Sequence, residues 1–402
     1  MTTGIEEIAL RVGADALLGL LPSRPRLLAL GEPTHGEDAL LDLRNDVFRQ
    51  LVEREGYRTV AIESDCLAGL VVDDYVTSGT GTLDHAMEHG FSHGLGASPA
   101  NRALVRWMRA YNEDRPPAER VRFAGMDGPL EIAAAESPRA ALTALHDHLA
   151  ARLDPELLPC SGRTLDRLLG ADARWTEPEA MTDPARSFGR SAEAGELRAL
   201  ADDLVTLFEE QTPHLLATGP RDDWERARLH GRTAKGLLDY HRWMADASPA
   251  RMSRLLGVRD RMMAGNLLAL AERGPVLVHA HNAHLQREQS TMRMWQGRVR
   301  WWSAGALAAA RLGAEYAFVA TAVGTVPHRG VDTPPPDTLE GRLYALGEDR
   351  CLVDAGRLAA ALGGDERPAP RESPWFGYAP LDPAQLDTVD GVVFLRDVPE
   401  RP

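Results

Sequence analysis

The sequence is poor in cysteine and contains a single lysine. Its three cysteines among 402 residues, Cys66, Cys160 and Cys351, lie far apart and form no C-x-x-C pair. This spacing argues against a thiolate zinc site or a disulfide framework, and it is typical of a protein kept in a reducing cytosol. Because Lys235 is the only lysine, arginine supplies nearly all of the positive charge.

The chain also lacks the features of a targeted or membrane-bound protein. Its first ten residues are acidic and have neither the basic start nor the apolar centre of a signal peptide. No apolar run approaches the ~18–20 residues that span a bilayer. A formal net charge of −14 leaves no broad basic surface for nucleic acid or an anionic membrane. We therefore expect a cytoplasmic protein whose partner is a small molecule, not nucleic acid or a membrane.

Two common phosphate-binding loops are missing. No G-x-G-x-x-G follows an apolar run, and no G-x-x-x-x-G-K-[ST] occurs, so the sequence does not predict nucleotide binding by these loops. Cys66 follows an apolar run and is a candidate nucleophile, with a small buried apolar side chain as the alternative interpretation.

Six short apolar runs predict buried parallel strands. They span residues 26–31, 59–63, 121–127, 275–281, 316–324 and 391–395. Each run is continuously apolar, as a sheet covered on both faces requires. Helical periodicity appears between them at residues 39–55, 101–113 and 303–312. The alternation predicts an α/β fold with a mostly parallel central sheet flanked by helices.

The middle of the chain differs in pattern. Residues 131–269 contain amphipathic helical segments separated by proline and glycine, with no convincing strand. We therefore predict a helical insertion, or cap subdomain, over a core made of residues 1–130 and 270–402.

Acidic and histidine side chains follow three of the predicted strands. These candidates are Glu32 and His35 after the first strand, Glu63 and Asp65 at the second, and His279, His281, Asn282 and His284 at the fourth. The carboxyl ends of parallel strands share one edge of a sheet, so these side chains are expected to converge. An imidazole takes a proton from water while a carboxylate holds its tautomer, which is the requirement of general acid–base hydrolysis.

Each strand end also has a structural interpretation. Glu32, Thr34 and Asp38 are residue types that cap a helix or favour its positive end. Glu63 and Asp65 suit a turn, and a single histidine is often structural. One shared site explains the three strand ends more economically than three separate structural reasons.

A fourth group lies between the second and third predicted strands. His85, His89 and His93 recur at every fourth residue, which on a helix would suit a metal ion, but Gly90 weakens the helix before His93. A solvated or cleft-edge helix is the simpler interpretation. His93 is therefore predicted as a cleft residue, together with Asp127 at the end of the third strand, Asp65 and Asn282.

Several segments together resemble the erythromycin esterase family. They are LGEPTHGEDALLDLRNDVFRQLVEREGYRTVAIESD (30–65), LVRWMRAYNE (104–113), FAGMDG (123–128), RDRMMAGNL (259–267), VLVHAHNAHL (276–285) and DGVVFL (390–395). Their order and approximate spacing hold from about residue 26 to 396. The least similar part is 130–250, where substrate contacts would lie.

The resemblance implies a metal-independent hydrolase, without a cofactor, that opens a macrolactone or a similarly bulky ester and could serve antibiotic resistance. It maps the catalytic set onto Glu32, His35, Arg44, Glu63, His281 and His284. His35 would activate water, and Glu63 or Glu32 would orient it. His281 and His284 would stabilise the oxyanion or protonate the leaving alkoxide. Arg44 would pair with one of the glutamates, and Asn282 would anchor the turn.

Three other functions stay open at this point. A tailoring enzyme of natural-product biosynthesis would use the same residues for elimination, cyclisation or peptide processing. A metal-dependent hydrolase would bind zinc or manganese through the same imidazoles and carboxylates. A binding protein would hold a ligand such as haem without turnover.

Overall fold

A computed structural model describes residues 3–131, 134–294, 297–363, 368–373, 375 and 377–400. Its strands are β1 (Ala9–Leu10), β2 (Leu27–Glu32), β3 (Thr59–Asp65), β4 (Arg122–Asp127), β5 (Val276–His281), β6 (Gln289–Met294), β7 (Gly297–Trp302), β8 (Tyr316–Thr325), β9 (Arg350–Asp354) and β10 (Gly391–Asp397).

The helices of the described residues alternate with these strands and fill the stretch between β4 and β5. They are α1 (Thr3–Glu6), α2 (Ala14–Gly19), α3 (Asp38–Glu55), α4 (Gly69–Ser78), α5 (Leu83–His89), α6 (Pro99–Asn112), α7 (Arg139–Ala150), α8 (Gly162–Leu169), α9 (Ala192–Glu210), α10 (Thr212–Thr218), α11 (Arg221–Met244), α12 (Arg251–Ala271), α13 (Asn282–Leu285), α14 (Ala304–Leu312), α15 (Leu339–Tyr344) and α16 (Ala355–Ala361).

An eight-stranded sheet forms the centre of the described structure. Its strand order is β1-β9-β10-β8-β2-β5-β3-β4. All pairs from β10 to β4 are parallel, whereas β9 pairs antiparallel with both β1 and β10. The predicted mostly parallel sheet is therefore confirmed, and β2, β5 and β3 are direct neighbours within it.

Alternate residues of β2 explain why the sheet is covered on both faces. Leu28 and Leu30 pack into one buried cluster with α3 and α6, while Leu27 and Ala29 pack into another with α12 and α14. All six residues of β2 are buried. A strand enclosed in this way reads as a continuous apolar run, which is why the sequence predicts it.

Four strands lie outside the six apolar runs. β1 has two residues, and β9 is a short strand that pairs antiparallel near one end of the sheet. β6 and β7 form a separate two-stranded antiparallel sheet whose residues alternate between buried and exposed. These strands carry arginine, glutamine and serine among their apolar residues, so no continuous run marks them.

The helical region after β4 has an apolar core of its own, which contains residues of α7, α8, α9 and α11. α12 is different, because Met263, Ala264 and Leu267 pack against the sheet. The segment predicted as an insertion therefore ends in a helix that belongs to the sheet's flanking layer. Within the described residues, no helix combines the length and apolar character needed to cross a bilayer.

The loop from β2 to α3 positions the histidine predicted as catalytic. α3 buries Leu40, Leu43, Val47 and other apolar residues at spacings of three and four, and it ends at Gly56 in the left-handed conformation. Its N-cap residue, Glu37, makes no side-chain capping bond. The acidic side chains around this turn are therefore available for other contacts.

Gly31 leaves space for the turn after β5 to lie close to β2. A Cβ at this position would lie 2.0 Å from Oδ1 of Asn282. The Asn282 side chain donates to the carbonyl of Thr321 at 2.8 Å and accepts from its N–H at 3.3 Å. Asn282 is thus the turn anchor that the sequence predicts, and it requires glycine opposite.

We expect Gly31→Ala to destabilise the protein by about 2–3 kcal/mol, because the added methyl overlaps Asn282 and breaks its bonds to β8. Urea unfolding followed by circular dichroism measures the change. Gly19→Ala is the matched control, since a Cβ there has no heavy atom within 4 Å. Equal stability of the two variants would contradict the close contact between Gly31 and Asn282.

Candidate active site

The carboxyl ends of β2, β5 and β3 bring most of the predicted residues together. Glu32 and His281 are register partners at the ends of β2 and β5. Glu63, near the end of β3, accepts a hydrogen bond from the backbone N–H of His281 at 2.9 Å. Strand order alone therefore brings residues more than 200 positions apart into contact.

His35 lies between two carboxylates. Its Nδ1 is 2.6 Å from Oε1 of Glu32, and its Nε2 is 3.6 Å from Oε1 of Glu63. The His35 side chain is 44% exposed, whereas those of Glu32 and Glu63 are 3% and 5% exposed. Solvent and ligands therefore reach the imidazole, while the carboxylates that hold it stay dry.

These contacts determine the protonation of the pair. Burial alone would lower the pKa of His35, but the carboxylates of Glu63 and Glu32 raise it well above its usual value. Burial alone would raise the pKa of Glu32, but His279 and His35 lower it well below its usual value. The free protein consequently holds an ionised Glu32 against a protonated His35 at neutral pH.

Glu63 is the point where three cationic side chains meet. Its Oε1 lies 3.0 Å from Nη2 of Arg259 and 3.3 Å from Nε2 of His284, in addition to His35. Burial alone would raise its pKa, but His284, His35 and Arg259 hold it well below the usual value. Glu63 is therefore an ionised carboxylate within the protein interior.

The arginine that donates to Glu63 is Arg259, not the predicted Arg44. Arg259 lies on α12 and donates from Nε and Nη2 to Asp127 at 2.9 and 2.6 Å, as well as to Glu63. Arg44 is buried, and its hydrogen bonds run to Oδ1 of Asn45 and of Asn101. Burial lowers the pKa of Arg44 to about 10, and the charge of Glu32 opposes this effect. Arg44 thus interacts with a glutamate of the site through charge, while its direct hydrogen bonds connect α3 to α6.

His284 is held by a second carboxylate. Its Nδ1 lies 2.9 Å from Oδ1 of Asp260, a fully buried residue next to Arg259 on α12. Asp260 also accepts from the indole N–H of Trp301 at 2.8 Å and the backbone N–H of Ala304 at 2.8 Å. Burial would lower the pKa of His284, but Asp260 and Glu63 raise it. Asp260 and Glu63 thus favour the imidazolium form of His284, and Asp260 fixes the orientation of its ring.

His281 has a different environment from its neighbours. Its Nδ1 accepts from the backbone N–H of Ala283 at 3.2 Å, which leaves Nε2 to donate to the carbonyl of Pro33 at 3.2 Å. Burial and the nearby charge of His35 lower the pKa of His281 to about 4. A neutral ring with both nitrogens on the backbone supports the loop that carries His35.

The last histidine of the fourth-strand motif lies behind Glu32. The Nδ1 of His279 contacts the carbonyl of Leu30 at 3.0 Å, and its Nε2 is 3.2 Å from Oε2 of Glu32. Its side chain is buried. His279 therefore lowers the pKa of Glu32 and positions its carboxylate from the buried side. The sequence predicts His279 as a candidate residue but does not predict this role.

The predicted cleft residues divide into two groups. Asp127 and His93 join the site: Nε2 of His93 is 3.3 Å from Asp127, its Nδ1 is 2.7 Å from Glu131, and these carboxylates raise its pKa to about 9 against the effect of burial. His93 also adopts a φ of 55°, which is uncommon for a non-glycine residue. Asp65 is instead a turn residue whose Oδ1 accepts from the N–H groups of Leu67 and Ala68.

His85, His89 and His93, which are spaced four residues apart, do not form a cluster. The rings of His85 and His89 are tilted by 55° with centroids 4.6 Å apart, whereas His93 lies beyond the end of α5 and contacts Asp127. Among the described residues, no group of three or more histidine, cysteine or acidic side chains is arranged to hold a metal ion. The carboxylates of the site are instead engaged by imidazole and guanidinium groups.

Two alternative nucleophiles occupy structural positions. Residues 90–94 read G-F-S-H-G, the pentapeptide of a serine nucleophile elbow. Here the stretch follows α5 and not a strand, and Ser92 Oγ binds the backbone N–H of Asp65 at 2.9 Å and Oγ of Ser64. Cys66 is buried against Thr233, and burial raises its pKa to about 12. Neither residue is paired with a histidine.

Comparison with known proteins identifies the family and the fold. A family model described as erythromycin esterase matches residues 52–398. The chain belongs to the erythromycin esterase family. No curated protein sequence matches it significantly. Glu32, His35 and Arg44 precede the matched range. Their place beside residues of the matched range, such as Glu63, comes from contacts in the structure and not from the family match.

Solved structures share the fold of this family member. A Bacillus cereus protein aligns over 99% of this chain and 97% of its own, with 18% identity and a TM-score of 0.73. A protein described as a succinoglycan biosynthesis protein aligns over 99% and 96%, with 17% identity and a TM-score of 0.71. A mutant of the erythromycin esterase EreC in its open conformation aligns over 94% and 92%, with 17% identity and a TM-score of 0.65.

Arg259 and Asp260 are the site residues that the sequence reasoning missed. A signal existed, because R-D-R-M-M-A-G-N-L is one of the segments that resemble the erythromycin esterase family. The sequence assigns this segment to the predicted cap subdomain, residues 131–269. Arg259 and Asp260 show no periodicity or spacing that connects them to Glu63 or His284.

Removing Arg259 should leave Glu63 and Asp127 as buried carboxylates without their shared cation. We expect Arg259→Met to lower the free energy of unfolding by about 3–5 kcal/mol. Arg261→Met, two residues along α12, removes an exposed partner of Asp239 and should cost no more than about 1 kcal/mol. Denaturant titration of both variants measures this, and similar losses for the two would contradict the role of Arg259.

Proposed function

We propose that this protein hydrolyses a macrolactone or a similarly bulky ester, with His35 activating the attacking water. The observation that carries this proposal is the Glu32–His35 contact of 2.6 Å, which joins a buried carboxylate to a half-exposed imidazole. Membership of the erythromycin esterase family supports the reaction class. EreC is an erythromycin esterase of the same fold, and a related substrate is proposed here on that basis.

The tautomer of His35 follows from Glu32. The carboxylate accepts a hydrogen bond from the N–H at Nδ1, so the neutral ring presents an unprotonated Nε2. In the proposed reaction Nε2 removes a proton from water as the oxygen attacks the ester carbonyl carbon. Glu32 and Glu63 then stabilise the imidazolium. General base catalysis of this kind contributes about 10²–10⁴-fold in rate.

His284 is proposed to act on the negative charge that develops on the ester oxygens during the reaction. Asp260 and Glu63 raise its pKa and so favour the protonated ring, and Asp260 fixes the direction of that ring. As an N–H donor it would stabilise the oxyanion and then protonate the leaving alkoxide. Its Nε2 lies 3.3 Å from Oε1 of Glu63, and in the proposed reaction it exchanges this contact for one with the substrate. For His281 we propose support of the loop at Pro33 instead of contact with substrate.

A substrate panel tests the reaction class. We expect incubation with macrolides and simpler lactones to yield a product heavier by one water, detected by mass spectrometry. His35→Ala should reduce turnover by at least about 100-fold, because it removes the base, while thermal unfolding changes little at a half-exposed side chain. Full activity of His35→Ala would overturn the assignment.

The same panel separates the alternative functions. Loss of water or an isomeric product, without mass gain, would identify elimination or cyclisation by a biosynthetic tailoring enzyme. The assays are run with and without a chelator, followed by metal readdition. Activity that disappears on chelation and returns with zinc or manganese would establish the metal-dependent alternative. His85→Gln, on the exposed pair of α5, is the control for loss of a histidine.

The pH profile tests the carboxylate contacts. Because the pKa of His35 is raised, its neutral form grows only as pH rises above the usual histidine range, so kcat/KM should increase with pH through a value above 6.5. Glu32→Gln removes a charge that favours the imidazolium. This variant should be slower, with its rising limb shifted to lower pH. A limb that does not move would show that Glu32 does not control the protonation of the base.

A further inference from the structure

A cavity on the opposite side of α12 from the catalytic cluster contains an arginine without a counterion. The cavity measures about 540 Å³ and lies between α9, α11 and α12. We call it the α11–α12 groove. Its walls are largely apolar and include Phe208, Trp224, Ala227, Gly231, Met262 and Gly265. This volume is within the ~300–1,000 Å³ range of small-molecule sites.

Three cations at the groove are already neutralised. Arg228 pairs with Glu272 at 2.5 Å, Lys235 with Asp202 at 2.6 Å, and Arg261 with Asp239 at 2.5 Å. These pairs place charge around the apolar walls but offer no free cation. A ligand with an anionic group needs another partner.

Arg232 meets that requirement. It lines both the groove and a second cavity of about 70 Å³ beside Cys66. Its guanidinium forms no ion pair with a described carboxylate, and its Nε and Nη2 contact only Oδ1 of Asn266, each at 3.3 Å. The Nη1 atom is buried without a hydrogen-bond partner among the described residues.

Such an arginine is costly in a protein interior. A buried donor without an acceptor loses its hydration, and a buried cation without a counterion loses more. Burial lowers the pKa of Arg232 to about 10, which reflects this loss. A carboxylate or phosphate that binds the Arg232 guanidinium from the groove would supply an acceptor and the opposite charge.

We propose that the α11–α12 groove binds a small amphipathic anion, whose apolar body lies against Trp224 and Met262 and whose carboxylate or phosphate binds Arg232. Glu209 and Glu272 also line the groove, but Glu272 is paired with Arg228, and an arginine without an ion pair beside the apolar residues of the wall points to this ligand class. The groove is separate from the ester site, because Arg259 and Asp260 project from α12 towards the sheet whereas Gly265 faces the groove.

Calorimetric titration of the full chain tests the proposal with four probes. Decanoate and decyl phosphate carry both features of the ligand, decanol lacks the charge, and acetate lacks the apolar body. We expect saturable binding of decanoate or decyl phosphate, and binding at least about 10-fold weaker for decanol and acetate. The stronger of the two anions identifies the headgroup. No binding of either, or equal binding of decanol, would overturn the proposal.

Two variants locate the site. Arg232→Gln should weaken binding of the anion about 10–100-fold, since it removes a charged hydrogen bond. Gly265→Leu should weaken it by filling the groove. A Cβ at Gly265 meets only Cδ of Arg232, at 3.8 Å, and leucine favours the helix. Lys235→Gln, which alters a cation already paired, should change affinity less than about 3-fold. Unchanged binding by both Arg232→Gln and Gly265→Leu would place the ligand elsewhere and refute the site. These readouts do not depend on ester hydrolysis.

Discussion

A carboxylate enclosed in protein keeps its charge only when cations surround it, and Glu63 satisfies this condition three times. Its Oε1 faces Arg259, His284 and His35, which come from α12, α13 and the loop after β2. One ionised oxygen therefore fixes the relative positions of three segments that are distant in sequence. Without its charge, these three cations would face one another in a dry space. The geometry of the site depends on this single negative charge.

Each cation around Glu63 is shared with a second carboxylate. The pairs are His35 with Glu32, His284 with Asp260, and Arg259 with Asp127. Such a network adds little net stability, because desolvation of the ions offsets most of their attraction. It does fix orientation and protonation. Of these ionised groups, His35 is the one that solvent reaches readily, so the network ends in a single accessible proton-transfer group.

The sequence predicts the sheet well and the site in part. Continuous apolar runs identify β2, β3 and β5 because both faces of these strands are buried, and their order brings Glu32, Glu63 and His281 to one edge. One arginine in a helix gives no indication of how closely it meets a carboxylate, and Arg44 interacts with Glu32 through charge while its hydrogen bonds run to Asn45 and Asn101. β9 and the β6–β7 hairpin were missed because partly exposed strands mix polar and apolar residues. Nothing local in the sequence indicates that α12 returns to the sheet.

The position of α12 explains why core and insertion cannot be separated at the predicted boundary. Met263 and Leu267 pack it against the sheet, and Arg259 and Asp260 project from it into the cluster at the strand ends. A boundary at residue 269 would assign to the insertion two of the charges that hold Glu63 and His284. The helical region therefore contributes residues to the site and does not only cover it. Its last helix supplies Arg259 as a partner of the Glu63 carboxylate and Asp260 as a partner of the His284 ring.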